Sequence, residues 1–444
     1  MAQDKSLQEG IAEAGSPIQL LWAQDAGHIT VPVVPPEYTG WAEEQYAWQS
    51  GVVLFNLCHH MSNFYVEGPD ALKLISSVCT NKFDNFVVGQ AKQIIAVTEA
   101  GHLINDGILM REGEEQFLLN AVDPLNNWIA YHAGESGLDV TCRMIENSDG
   151  RPPDVPPPYF RYQIQGPKAI EVVERLLGGP APDVKFFHSA NVTIAGCTAR
   201  AFRHTMSGLP GYEFIGDWSD HDAVLEAMLA AGEPSGMVQV GGLAYYTNAL
   251  ESGWLPLLVP GIYDSPELEN YRKSIPLNSF EGRRPLHGSY YSPDISDYYV
   301  SPYDMGYGKL VNFDHEFIGK AALQEARKKP HREKVTLVFN QDDVAQIIGE
   351  DPGYMRRDAQ DRVEVDGAMI GLSLYTVNFP AHGTILSLAL VDSEHAKPGT
   401  EVSVAWGDLP VGADSDEAHR GLPRIRATVA PSPYNDFART QYRK

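Results

Sequence analysis

A strand that runs into Gly-Pro and then into a helix occurs twice in this chain, and that pattern constrains the fold more than any other. Residues 63–67 (NFYVE) read as a strand, and residues 68–75 (GPDALKLI) then open a helix. Residues 161–165 (RYQIQ) and 166–173 (GPKAIEVV) repeat the arrangement. Proline suits the first helical turn, where its missing N–H has no intrahelical partner to lose. Apolar residues then recur at helical spacing, as in Ile170, Val173 and Leu177. Strand-like segments follow each unit, at 116–121 after the first and at 198–204 and 212–215 after the second. Two related α+β modules account for this, whether by duplication or because Gly-Pro starts many helices.

Between the modules, residues 149–158 (DGRPPDVPPP) cannot hold a regular ladder and read as a connector. A second break falls at the charged, non-periodic 326–333 (ARKKPHRE). Short strand candidates follow at 335–339, 362–365, 368–373, 386–391, 401–405 and 426–429, separated by Gly, Pro and Asp. Strands at that spacing predict a small β-barrel or sandwich. The expected division is a first mixed module over 1–150, a second over 151–330 and an all-β unit over 335–444.

The formal charge of -24 repels phosphate backbones and anionic lipid at long range, so neither nucleic acid nor membrane is an expected partner. No apolar run approaches the roughly 20 residues of a membrane span, and the polar start MAQDKSLQEG is unlike a signal peptide. A cytoplasmic protein is expected. The four cysteines, Cys58, Cys79, Cys142 and Cys197, show no metal-ligand spacing and read as buried free thiols.

Dinucleotide, P-loop, HExxH and GxSxG signatures are all absent from the sequence. Four less standard segments remain, each with a purely structural alternative. His59 and His60 adjoin one another between strands and face opposite sides, so one of them can act as an acid, base or hydrogen-bond donor. Asp106 in the 101–107 stretch (GHLINDG) is either a turn residue or a catalytic carboxylate. Glu213 lies between Tyr212 and Phe214 and so leaves the apolar face of its strand; two carboxylate oxygens suit the paired N–H donors of a 2-amino-pyrimidinone ring. The 242–254 stretch gathers Tyr245, Tyr246, Glu251 and Trp254. A tyrosine there can hydrogen-bond a leaving phenoxide, and a tryptophan can stack on a pterin or arene, or both can be core.

These segments together resemble the aminomethyltransferase (glycine-cleavage T-protein) superfamily, through QIQGP at 163–167, Gly211-Tyr212-Glu213, LESGW at 250–254 and DHEFIGKAAL at 314–323. Within it the chain is similar to the tetrahydrofolate-dependent aromatic O-demethylases, through Pro32-Val33-Val34, residues 44–48, 54–61, 91–93, 185–187 and DYYVSPYDMGYG at 297–308. The resemblance runs from about residue 17 to about 436. It implies two interleaved mixed α/β modules around a folate channel plus a C-terminal β-barrel, with tetrahydrofolate as methyl acceptor and no metal. It implies that Glu213, Gln163 and Trp254 hold the pterin, that Asp106 lies near the transfer site, and that Tyr245 serves the phenolic leaving oxygen. His60 and Gln93 match substrate-side positions, and Gln93 is also counted with the folate contacts.

The implied reaction moves the methyl group of a methoxylated aromatic acid to tetrahydrofolate. Val122 stands where vanillate-type enzymes carry a carboxylate-binding arginine, and Val31 where they carry a tyrosine. Two valines imply a more apolar pocket, of the kind that suits a chlorinated 2-methoxybenzoate such as dicamba. Alternatives are an N- or S-methyl donor in the same fold, or a folate-binding protein without turnover. The latter relatives carry a Lys-Gly-Cys signature, where this chain has Phe317-Ile318-Gly319-Lys320.

Overall fold

The two strand–Gly-Pro–helix units adopt the same backbone in the computed structural model, which describes residues 5–25, 31–152, 154–410 and 416–444. The first four residues of the polar N-terminus and Pro153 of the connector thus lie outside the described residues. Strand Asn63–Glu67 leads to helix Ala71–Val78, and strand Tyr159–Gln165 to helix Ala169–Leu177. Gly68 and Gly166 have φ of 130° and 127°. A Cβ there would meet the carbonyl oxygens of Asp139 and Gly51 at 2.5 and 2.6 Å, so only glycine fits either turn. The prolines sit in those turns, just ahead of the helices rather than inside them, and the Ala71 and Ala169 N–H groups bond back to Gly68 and Gly166 at 3.0 Å. The second helix buries Ala169, Val172 and Val173, whereas Ile170, expected on the apolar stripe, is 36% exposed.

Each unit belongs to its own sheet, the first antiparallel and the second antiparallel but for one parallel pair. The first has the order Ala91–Val97, Leu103–Arg111, Gln116–Ala121, Asn63–Glu67, Thr141–Ile145. The second runs Val238–Val240, Val53–Asn56, Tyr159–Gln165, Gly211–Asp217, Cys197–Phe202, Ser189–Ile194. Val53–Asn56 precedes the whole first sheet in sequence, yet it pairs antiparallel with Tyr159–Gln165 and parallel with Val238–Val240. The chain therefore enters the second sheet, leaves to build the first, and returns.

The C-terminal strands close into a six-stranded barrel. Its order is Ala368–Phe379, Asp361–Val365, Glu401–Ala405, Arg424–Ala430, Arg332–Phe339, Thr384–Asp392, and the last pairs with the first. Closure leaves no open edge to aggregate. Ala368–Phe379 extends six residues beyond the expected end at Ser373, carried past a bulge between Ser373 and Tyr375. Helix Gln341–Ile347, capped by the Asn340 side chain, has no counterpart among the expected elements.

All four cysteines are free; Cys58 and Cys79 are buried, but Cys142 and Cys197 are only partly so, contrary to the expectation. No helix among the described residues is long and apolar enough to cross a membrane.

Candidate functional site

Strand alternation aims the site's charged residues. Tyr212 and Phe214 pack with Phe160, Tyr162 and Ile164 in one core, so Glu213 and Arg161 emerge on the opposite face. There they line a cavity of about 170 Å³. Leu57, Met61, Ile108, Met110, Phe187 and Phe202 give it an apolar wall.

Glu213 is 5% exposed, with Oε1 3.2 Å from Arg161 Nε and Oε2 3.7 Å from His204 Nδ1. Burial pushes its pKa up, but the Arg161 guanidinium, with His204 beside it, outweighs this and holds it below the usual carboxylate range. Arg161 Nη1 donates to Asn120 Oδ1 at 2.8 Å, which ties the second sheet to the first.

The adjacent histidines separate, although both lie in the turn at 58–60 and not on a strand. His59 turns from the cavity to Ser148 Oγ at 2.9 Å, edge-on to Trp218. His60 faces the cavity, with Nε2 2.6 Å from the Tyr245 hydroxyl. Burial, then the charge of Arg161, pushes the His60 pKa down to about 3, so the ring is neutral. Tyr245 rises from helix Gly242–Thr247 and packs edge-on against Phe55, with ring centroids 5.9 Å apart. Burial raises its pKa well above the ordinary tyrosine value, so it too stays neutral.

Asp106 is not a turn residue. It sits mid-strand in Leu103–Arg111, opposite Ile95, because the apolar residues on both sides of Asn-Asp-Gly continue the ladder. Its buried carboxylate accepts from Gln93 Nε2 at 2.7 Å, Trp254 Nε1 at 3.1 Å and the Tyr307 hydroxyl at 3.3 Å. Burial raises the Asp106 pKa against those hydrogen bonds and the charge of Lys334. Lys334 lies 5.1 Å above the Tyr307 ring, and burial brings its pKa down to about 8 despite Asp106.

Six of the seven residues singled out in the sequence thus share one cavity wall: His60, Gln93, Asp106, Glu213, Tyr245 and Trp254. Gln163 is set behind it, fully buried, with Nε2 on Gln165 at 2.8 Å and Oε1 taking the Met206 N–H at 3.2 Å. Neither Val31 nor Val122 lines the cavity, so the two valines are not what makes it apolar. Val31 packs on Gly242, and Val122 is the N-cap of helix Asp123–Ser136. Sequence reasoning missed Arg161, Asn120, Tyr307 and Lys334. Arg161 had a usable signal: it lies two residues before Gln163 on one strand and so shares its face. The others arrive from remote segments that only folding brings together.

Comparison with known proteins gives this arrangement a context. Residues 24–257 match the family model described as the GCVT N-terminal domain, more than half of the chain. The chain belongs to the aminomethyltransferase family. It is 40% identical to syringate O-demethylase from a Sphingobium species, over 99% of this chain and 98% of that one. Sesamin methylene transferase from a Sinomonas species is 31% identical, over 91% of each. The aminomethyltransferase of Saccharopolyspora erythraea is 26% identical, over 84% of this chain and 87% of that one. Among solved structures, aminomethyltransferase T of the glycine cleavage system from Bartonella henselae superposes with a TM-score of 0.63 at 18% identity, covering 95% of this chain and 97% of that one. That likeness establishes the aminomethyltransferase fold, with its mixed α/β body and C-terminal barrel.

Proposed function

We propose that this chain is a tetrahydrofolate-dependent O-demethylase that takes the methyl group from a methoxylated aromatic acid and releases the phenol. The observation that carries the reading is one cavity walled by a buried carboxylate, Glu213, and a neutral Tyr245–His60 pair. Its full-length similarity to syringate O-demethylase supports the same substrate type.

The residues fit a pterin. Glu213 Oε1 faces Arg161 Nε at 3.2 Å but makes no hydrogen bond among the described residues, and adjacent ring N–H donors suit an ionised carboxylate there. Trp254, fixed by its indole N–H on Asp106, offers a ring on the same cavity wall. Gln163 supports the wall through Met206 rather than from the wall itself. Tetrahydrofolate, when bound, supplies the nucleophilic nitrogen that accepts the methyl group.

An aryl methyl ether is a poor electrophile because breaking its C–O bond leaves a phenoxide. Tyr245 stays protonated in the cavity and donates to that oxygen as charge grows, an effect worth roughly 3 kcal/mol for one well-placed donor. His60, neutral, holds the tyrosine oxygen without adding charge. Asp106 stabilises developing positive charge on the accepting side, and Gln93 orients it. Holding donor, methyl and acceptor in line supplies several kcal/mol more. The apolar wall suits a substituted ring, a chlorinated methoxybenzoate such as dicamba included. A betaine or sulfonium donor would bring its cation beside Arg161, which counts against an N- or S-methyl substrate. We place the enzyme in the cytoplasm, which maintains reduced cofactors.

The test is a panel of methoxybenzoates, halogenated and hydroxylated, incubated with tetrahydrofolate and followed by chromatography for the phenol and 5-methyltetrahydrofolate. Stoichiometric appearance of both is expected with at least one member. A panel that yields neither product overturns the proposal.

A further inference from the structure

We propose that Arg161 is the receptor for the substrate's carboxylate, a specificity-determining contact at a position distinct from Val122. This rests on the demethylase reading of the same cavity.

The guanidinium is fixed on two of its three nitrogens. Nε faces Glu213 Oε1 at 3.2 Å, and Nη1 donates to Asn120 Oδ1 at 2.8 Å. Its main chain is held as well: the N–H donates to Cys58 Sγ at 3.1 Å, and the carbonyl accepts the Leu57 N–H at 2.9 Å. The third nitrogen, Nη2, is buried without any acceptor among the described residues, although Arg161 as a whole is only 8% exposed and lines the cavity. A charged donor left unmade in a dry site is costly, and a bound oxygen anion removes the cost.

Two features select an aryl carboxylate. The surrounding wall is apolar and aromatic, so the anion arrives on a hydrophobic body. The His60–Tyr245 pair lines the same cavity, so an acid held at Arg161 presents its ring to that pair. Arg443, the other arginine on the wall, is exposed and lies over the Phe186 ring, with its centroid 5.8 Å away. It pays little desolvation and so discriminates less than a buried guanidinium. Glu213 lowers the net charge at Arg161, but it faces Nε and leaves Nη2 without an acceptor among the described residues.

The experiment compares 2-methoxybenzoate with 2-methoxybenzyl alcohol, which keeps the ring and ether and removes the charge. Affinities are measured calorimetrically on the full chain, wild type and Arg161→Gln, with turnover recorded alongside. Wild type is expected to prefer the acid by about 100-fold, the scale of a lost charged hydrogen-bonded pair, and Arg161→Gln to bring the ratio near one. Using the ratio cancels any general loosening of the cavity, which weakens both ligands. Should Arg161→Gln not fold, Asn120→Asp places a carboxylate on Nη1 without changing size, and it is expected to cut the preference about tenfold. A preference that survives in the folded variants, or one that collapses in Arg443→Ala instead, overturns the assignment. So does a loss in Arg161→Gln confined to tetrahydrofolate affinity, which would make Arg161 a folate contact. Absence of turnover with intact acid preference would instead sink the demethylase reading and leave the receptor standing.

Discussion

Replacing Tyr245 by phenylalanine removes one oxygen from a packed ring and isolates the leaving-group role. The ring itself is held by Phe55, with centroids 5.9 Å apart at 70°, and by His60, at 4.7 Å and 69°. Those contacts survive, so the fold should lose only the hydroxyl's hydrogen bond to His60, about 1 kcal/mol. Catalysis should lose far more. The hydroxyl is a preorganised donor in a site dry enough to raise its pKa well above the ordinary value. Removing one such donor costs about 2.7–4 kcal/mol of transition-state stabilisation, or roughly 10²–10³ in kcat. Folate affinity, read from quenching of intrinsic tryptophan fluorescence, should stay within about twofold, since Glu213 and Trp254 are untouched. The penalty should also shrink for substrates whose ring substituents make a better leaving phenoxide. Single-turnover formation of 5-methyltetrahydrofolate is the assay, because product release cannot mask the chemical step. A Tyr245→Phe enzyme that transfers methyl within a few-fold of the wild-type rate would refute the assignment.

Glu213→Gln should weaken tetrahydrofolate binding about 10–100-fold, by exchanging a paired anionic acceptor for an amide, and unchanged affinity by calorimetry would dismiss the pterin contact. Asp106→Asn turns an amide N–H₂ toward donors that now converge on a carboxylate. It should lower kcat by about 10² and cost about 1–3 kcal/mol in thermal unfolding; a fully active, equally stable variant contradicts this. His60 should contribute no limb to the pH profile between about pH 5 and 8, because it is held neutral with its pKa near about 3. An alkaline decline beginning near pH 8 is expected as Lys334, at about 8, loses the proton that balances Asp106. An acid limb near pH 6.5 that vanishes in His60→Gln would show a charged His60 instead.

Local patterns carried the secondary structure because they depend on near neighbours alone. Period-two alternation sent Glu213 away from Tyr212 and Phe214, and the paired Gly-Pro turns marked both helix starts. Closure of the C-terminal barrel was only half legible: the strands were visible, but the pairing of Ala368–Phe379 with Thr384–Asp392 that seals it is a matter of register. Asn-Asp-Gly at 105–107 misled as a turn signal, since ladder bonds on both sides outweigh the preference of three residues. Val31 and Val122 misled in another way, as substitutions away from a family pattern that the fold keeps off the cavity wall.

The sequence alone determined the alternation, the glycines, the acidic balance and the chemical types available for a site. Only the tertiary structure decided which of them meet. Val53–Asn56 must cross into the second sheet before His60 can reach Tyr245, and Arg332–Phe339 must close the barrel before Lys334 lies near Asp106. Those encounters span many residues of chain and cost loop entropy that no local pattern records. The buried Nη2 of Arg161, without an acceptor among the described residues, belongs to the same class: two sheets engage the other nitrogens of that side chain.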